Sequence, residues 1–170
     1  MGNSTDYVGR VGIDPPLNDR EITYLRALMT APYDDREEVT YEPPSARCGW
    51  RLADDGRSLV WDTDADIDEM IVWLRYLISH FLKLRARAVG TAGLEGFTFD
   101  HVVEGIVVGC HRDSGELTQV TVRRNRVTAK RLRLPEEKRP TAPAPPSARR
   151  PPAAGTGQVI DLLSRRRING

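Results

Sequence analysis

Apolar residues recur every three to four positions in two stretches of the chain, which is the spacing of one face of a helix. Ahead of the first stretch, Asn18 stands three residues before Glu21, the spacing of a capping box. We therefore predict a first helix over residues 19–30. The apolar stripe of this helix is formed by Ile22, Leu25, Leu28 and Met29.

The second stretch predicts a longer helix at the centre of the core. Thr63 is its expected N-cap, with Asp66 at the third position after it. Carboxylates at the start of this helix and basic residues at its end complement the helix dipole. Its apolar stripe consists of Ile67, Met70, Ile71, Leu74, Leu77, Ile78, Phe81 and Leu82.

Alternating apolar and polar residues predict strands in most of the remaining sequence up to Leu134. The pairs Asp55-Gly56 and Arg124-Asn125 are turn signals that join neighbouring strands into hairpins. The order of elements indicates an α+β fold, with a mostly antiparallel sheet and two helices packed on one of its faces. The predicted strands cover residues 8–13, 48–53, 58–61, 98–110, 116–123 and 126–133.

Three tryptophans lie near the first hairpin and the longer helix. Trp50 and Trp61 stand near the ends of the hairpin, and Trp73 is on the helix that is expected to cover it. A shared cluster in the core is the favoured interpretation. An exposed aromatic platform for a peptide or a base is the alternative.

The composition changes sharply after Leu134. Seven of the twelve prolines fall between residues 135 and 157, where large apolar residues are almost absent. Because such a segment buries too little surface to offset its ordering entropy, we predict a disordered Pro/Ala/Arg linker. The predicted organisation is a globular domain over residues 1–134, the linker over residues 135–157 and a short amphipathic peptide over residues 158–170.

The last segment restores apolar residues beyond the linker and predicts a docking peptide that orders on a protein partner. The apolar residues would anchor the peptide, the aspartate would orient it, and the arginines would steer it towards an acidic partner. The alternative is that the peptide folds back on the globular domain. The predicted partner-binding residues are Val159, Ile160, Asp161, Leu162, Leu163, Arg165, Arg166 and Arg167.

Charge is balanced over the whole chain but not along its length. The formal net charge is +1, with 21 acidic and 18 basic residues up to position 134, and 3 acidic and 7 basic residues after it. A basic group at the last predicted hairpin suggests a rival function, nucleic-acid binding through counterion release. A solvated edge strand, protected against pairing with another sheet, is the favoured explanation of these charges. The candidate residues are Arg123, Arg124, Arg126, Lys130, Arg131 and Arg133.

An alternation of aspartates at positions 62, 64, 66 and 68 suggests a calcium loop. The sixth and twelfth positions of that loop would hold Ile67 and Trp73, where an EF-hand has glycine and glutamate. Cys48 and Cys110 are too far apart in sequence to form a CxxC motif. We therefore expect no metal site and no cofactor.

Enzymatic activity is not expected either, because the sequence contains none of the nucleotide-binding, hydrolase-elbow or metalloprotease motifs. The remaining enzymatic alternative is a small hydrolase that uses Asp62 or Asp64 with His80 or His101.

The longest apolar stretch is interrupted by charged residues, and no apolar core follows a basic start near the N-terminus. We therefore expect neither a membrane span nor a secretory signal, and a cytoplasmic location.

Four segments carry a resemblance that spans roughly residues 8–130: IDPPLNDREITYLRAL, PPSARCGWRLADDGRSLVWD, WLRYLISHFL and FDHVVEGIVVG. In these segments the chain resembles a small, uncharacterised protein family of actinobacteria and their phages. The resemblance implies a single intact domain. Because no activity is assigned to that family, it implies no catalytic residue. The chain departs from the family pattern at residues 64–70 (DADIDEM), so a function that rests on this stretch does not carry over.

The sequence as a whole predicts a non-enzymatic accessory or interaction protein that binds a protein partner through its C-terminal peptide. Nucleic-acid binding by the basic hairpin and tail is the first alternative, and the hydrolase is the second.

Overall fold

The computed structural model describes residues 4–30 and 41–133. The chain divides into two units, Met1–Leu134 and Pro135–Gly170, and all described residues belong to the first. The predicted linker over residues 135–157 and the predicted docking peptide over residues 158–170 therefore lie outside the described residues.

The described residues contain six strands and two helices, and the strands form one antiparallel sheet in the order β2-β3-β1-β4-β5-β6. The predicted α+β fold is confirmed. The strands are β1 (Thr5–Asp14), β2 (Trp50–Leu52), β3 (Ser58–Trp61), β4 (Val102–His111), β5 (Leu117–Arg123) and β6 (Arg126–Leu132). The helices are α1 (Asp19–Thr30) and α2 (Ile67–Leu77), and a π-helical turn (Ile78–Leu82) follows α2.

The two faces of the sheet differ in burial, because successive side chains of a strand point to opposite faces. One face, which we call the covered face, shares a single apolar core with α1, α2 and the π-helical turn. We call the opposite face the open face. The covered face is formed by Val11, Ile13, Trp50, Leu52, Leu59, Trp61, Val103, Val107, Val120, Val122 and Val127.

The three tryptophans are buried in this core, so the prediction of a core cluster is confirmed. The ring centroids of Trp50 and Trp61 lie 5.4 Å apart. Trp73 packs against Tyr76, with ring centroids 5.6 Å apart. The rings of the three tryptophans therefore pack in the core and do not form an exposed platform.

Helix α1 has the predicted bounds and the predicted cap. The Asn18 Oδ1 atom accepts hydrogen bonds from the backbone N–H groups of Arg20 and Glu21, both at 3.0 Å. The Glu21 Oε2 atom accepts one in return from the Asn18 backbone N–H at 2.8 Å. The reciprocal pair satisfies N–H groups that a helix terminus leaves without internal partners.

The start of α2 corrects one prediction, because its N-cap is Asp66 and not Thr63. The Asp66 backbone is extended (φ −60°, ψ 149°), and its side chain accepts a hydrogen bond from the Asp68 backbone N–H. Thr63 lies before the helix, where its hydroxyl oxygen accepts from the Ala65 backbone N–H at 3.3 Å. Since both residue types are good caps, local sequence alone did not decide between them.

The strand predicted over residues 98–110 also begins later, at Val102. Phe99 has a φ of 50°, which lies in the left-handed region and interrupts an extended strand. Residues 98–101 instead form a connection that hydrogen-bonds to α1, as described below.

Candidate interaction surface

The open face of the sheet carries four exposed, large apolar side chains, which we call the open-face strip. Val8 is 76% exposed and Ile106 is 48% exposed. The open-face strip is formed by Val8, Val60, Val102 and Ile106. Because the solvent side of an antiparallel sheet is normally polar, apolar side chains grouped here indicate a surface suited to contact with another molecule.

Two basic side chains lie on the same face of the sheet as the strip. Arg10 pairs in register with Ile106 and lies between it and Val60, which the β1–β3 register places on its other side. In the neighbouring row, Val8 pairs with Val108, and the row continues through β5 to Lys130 on β6. Arg10 and Lys130 are exposed, and neither forms an ion pair with another described residue. The open face therefore combines exposed apolar side chains with two cations, Arg10 within the strip and Lys130 on β6, and with Glu104, which lies between Val102 and Ile106 on β4.

The predicted basic hairpin is present, but its basic side chains do not all lie on the same face of the sheet. Arg123, Arg126 and Lys130 lie on the open-face side of β5 and β6, whereas Arg131 lies on the covered-face side, where its Nε atom is 2.8 Å from Glu116 Oε1. Arg124 is in the turn, and Arg133 follows β6; both are exposed. The six residues therefore do not make one continuous patch.

The turn between β5 and β6 is held by an asparagine whose role sequence analysis missed. Arg124 and Asn125 have φ values of 47° and 67°, the left-handed pair of a type I′ turn. The Asn125 Oδ1 atom accepts from the Val103 backbone N–H at 2.7 Å. The Asn125 amide Nδ2 donates to the His101 carbonyl oxygen at 2.9 Å. One side chain thus fixes the tip of the basic hairpin to the start of β4.

A crevice of about 530 Å³ lies between the start of α2 and the covered-face side of β4, β5 and β6. Ile67, Ile71 and Ala129 supply apolar surface to it, and polar groups supply the rest. The polar lining comes from Thr5, Asp66, Asp68, His111, Ser114, Glu116, Thr118, Lys130 and Arg131. Its volume falls within the range of small-ligand and side-chain pockets.

The most deeply buried polar group joins α1 to the connection before β4. Glu21 and His101 are each 1% exposed, and Glu21 Oε1 lies 3.1 Å from His101 Nε2. The same oxygen accepts from the backbone N–H of Thr98 at 2.7 Å. Since a proline carbonyl can only accept, His101 Nδ1 donates to Pro15 O at 2.7 Å.

Burial alone would raise the pKa of Glu21. The backbone hydrogen bonds from Asn18 and Thr98, together with the neighbouring His101, outweigh burial and hold the pKa below the ordinary glutamate value. The side-chain polar atoms of Glu21 and His101 all have partners inside the protein. The pair therefore connects structural elements and does not face a solvent-borne substrate.

The residues predicted for a hydrolase have other partners and do not pair with one another in the described structure. Asp62 forms an exposed ion pair with Arg51. His80 lies in the π-helical turn and is 8% exposed, and its Nδ1 atom is 2.9 Å from the Tyr76 carbonyl oxygen. His101 is engaged with Glu21. Neither histidine has Asp62 or Asp64 as a partner within 4.0 Å.

Within residues 4–30 and 41–133, no group of three or more His, Cys, Asp or Glu side chains is placed to hold a metal ion. Cys48 and Cys110 form no disulfide. None of the helices in the same ranges is both long enough and apolar enough to cross a membrane.

Comparisons with protein-family models, curated proteins and solved structures found no match to this chain.

Several residues that shape this surface had little or no signal in the sequence. The open-face strip is recognisable only after the register of the sheet is known, because a valine in a strand is equally common on a buried face. The position of Arg10 beside Ile106 depends on strands about 96 positions apart in sequence. The predicted docking residues Val159, Ile160, Asp161, Leu162, Leu163, Arg165, Arg166 and Arg167 lie outside the described residues.

Proposed function

We propose that this protein is a non-enzymatic accessory protein that binds a protein partner through the open face of its sheet. The observation that carries the proposal is the open-face strip, whose apolar side chains face solvent on a sheet that is otherwise well packed. Burying such a strip in a complex is favourable at about 25 cal/mol for each Å² of apolar surface removed from water.

The cations of the open face favour a partner that carries carboxylates among apolar side chains. Arg10 lies among the apolar side chains of the strip, and Lys130 lies to one side of them on β6. Complementary charges in an interface mainly speed association and select the partner, while apolar contacts supply most of the affinity. Protein binding is favoured over base stacking because the described tryptophans are buried on the other side of the sheet.

The test uses two glutamate substitutions at apolar side chains of equal exposure. Ile106 on the open face and Val72 on α2 are each 48% exposed. The full-length protein is used as bait in an extract of its native host, the captured partner is purified, and its affinity is measured by titration. We expect Ile106→Glu to weaken binding by about tenfold or more, because a buried carboxylate would face the apolar centre of the partner. Val72→Glu is the matched control and should bind as the unmodified protein does.

Equal binding by both variants and the unmodified protein would contradict the open-face proposal. A parallel deletion of residues 158–170 tests the predicted docking peptide, which should contribute to capture without changing the melting temperature. Unchanged capture after the deletion would contradict a role for that peptide.

Nucleic-acid binding is a second candidate, favoured by the exposed Arg123, Arg124 and Arg126 at one end of the hairpin. The measurement is binding of a DNA duplex and of a single-stranded RNA at increasing salt. Affinity that falls steeply with salt and is reduced by Arg126→Glu would support this candidate, because counterion release dominates such binding. No binding at low salt would contradict it.

A further inference from the structure

Strand β6 is an edge of the sheet among the described residues. The two-residue turn makes Arg123 and Arg126 a hydrogen-bonded pair. Along β6, the backbone groups of Arg126, Thr128 and Lys130 therefore point towards β5. The intervening residues, Val127, Ala129 and Arg131, direct their N–H and carbonyl groups outwards. Of these groups, the Val127 carbonyl oxygen accepts a hydrogen bond from Arg75 Nη2 at 3.4 Å.

The outward groups of β6 lie beside the crevice described above. Ala129 and Arg131 contribute to its lining, and the apolar side chains of Ile67 and Ile71 on α2 stand across from them. A strand added along β6 would direct alternate side chains to the covered-face side of the sheet and therefore into this crevice. The crevice offers such side chains the apolar surface of Ile67, Ile71 and Ala129, within a lining that is otherwise polar and includes the carboxylates of Asp66, Asp68 and Glu116.

The other side of an added strand would meet cations. Arg126 and Lys130 lie on the open-face side of β6, are exposed, and form no ion pair with another described residue. Lysine and arginine on an edge strand oppose pairing with a second copy of the same strand, because like charges would then approach each other. The same cations attract a strand that carries carboxylates at the facing positions.

We propose that β6 binds an extended acidic segment of a protein partner as an additional strand of the sheet. Acidic side chains of that segment lie beside Arg126 and Lys130, and the alternating apolar side chains enter the crevice. Backbone hydrogen bonds to Ala129 and Arg131 supply affinity, and the two sets of side chains supply selectivity. The inference rests on the proposed function, since it names the kind of segment by which the partner is recognised.

The test uses the full-length protein and a soluble nine-residue peptide that alternates glutamate and valine. Hydrogen exchange is followed by NMR at single amides. In the free protein we expect the amides of Val127, Ala129 and Arg131 to exchange much faster than those of Thr128 and Lys130, which face β5. Addition of the peptide should slow exchange at Ala129 and Arg131.

Two variants change the edge in different ways. Ala129→Pro removes an outward N–H group that makes no bond to β5, a position at which an edge strand tolerates proline. Lys130→Glu leaves the backbone unchanged and reverses a facing charge. We expect each to weaken peptide binding by about tenfold. Arg47→Glu, a charge reversal on the segment that leads into β2 at the opposite edge, should leave binding unchanged and serves as the control.

Slow exchange at Ala129 and Arg131 in the free protein would overturn the inference, because it would mean that this edge is already covered, by a second copy or by another segment of the chain. Peptide binding that Lys130→Glu does not weaken would overturn it as well. So would the absence of peptide binding. In each case a partner complex that still depends on Ile106 would leave the proposed function standing, whereas loss of that dependence would contradict the function itself.

Discussion

Glu21 shows how one side chain can serve two purposes at once. Its Oε2 atom completes the cap of α1, and its Oε1 atom accepts the Thr98 backbone N–H and lies beside His101. The capping role was predictable because Asn18 and Glu21 are three residues apart in sequence. The contacts with Thr98 and His101 were not predictable, because nearly 80 residues separate them from Glu21 and only the fold brings them together.

Glu21→Gln tests whether this buried carboxylate stabilises the fold. Glutamine preserves the size of the side chain but places an amide where backbone N–H groups need an acceptor. We expect a loss of about 2 kcal/mol in the free energy of unfolding at neutral pH, measured by urea denaturation. Glu42→Gln, at an exposed position, is the control and should change stability little. A loss no larger than that of the control would contradict the assigned role.

The lowered pKa of Glu21 also predicts a direction for the effect of acid. The folded-state pKa lies below the ordinary value of 4.5, so the ionised carboxylate stabilises the fold fully above that value. The contribution is lost as pH falls from 4.5 through the folded-state pKa. Denaturation curves measured across this range should therefore show a smaller acid-induced loss for Glu21→Gln than for the unmodified protein. An identical acid-induced loss in the two proteins would contradict the lowered pKa.

At the scale of elements, the bounds of α1 and the turns of the β2–β3 and β5–β6 hairpins could be predicted because their signals are local. The capping pair, the Asp55-Gly56 turn and the Arg124-Asn125 turn each act within a few residues. The start of α2 was misplaced because Thr63 and Asp66 are both suitable caps and only the packed structure selects between them. The late start of β4 follows from the contacts of residues 98–101 with α1, which no local pattern encodes.

The cap of α2 can be tested with a matched pair of alanine variants. Asp66→Ala removes the side chain that accepts the Asp68 backbone N–H and should lower stability by about 1 kcal/mol. Thr63→Ala removes a hydroxyl that lies outside the helix and should cost less. Thermal denaturation of both variants measures the difference. A larger loss for Thr63→Ala would place the start of the helix at the position expected from sequence alone.

At the scale of the whole molecule, the sheet separates two kinds of surface. Its covered face joins the helices in one apolar core, while its open face presents Val8 and Ile106 to solvent beside Arg10. The alternation of the strands predicted a sheet with one covered face. Which apolar residues would remain exposed could not be predicted, because a shift of register by one residue exchanges the two faces.

The resemblance stated from four segments implied an intact domain and no catalytic residue. The described residues form one sheet with one apolar core, and the resemblance stays a prediction. The functional proposal therefore rests on the surface of this chain and on general physical principles, with protein binding as its central claim.

The affinity of the purified partner for two glutamate variants tests that claim most directly. We predict that Ile106→Glu on the open face weakens binding by about tenfold or more, and that Val72→Glu, at an equally exposed position on α2, leaves binding unchanged. Binding that Val72→Glu weakens and Ile106→Glu does not would contradict the account.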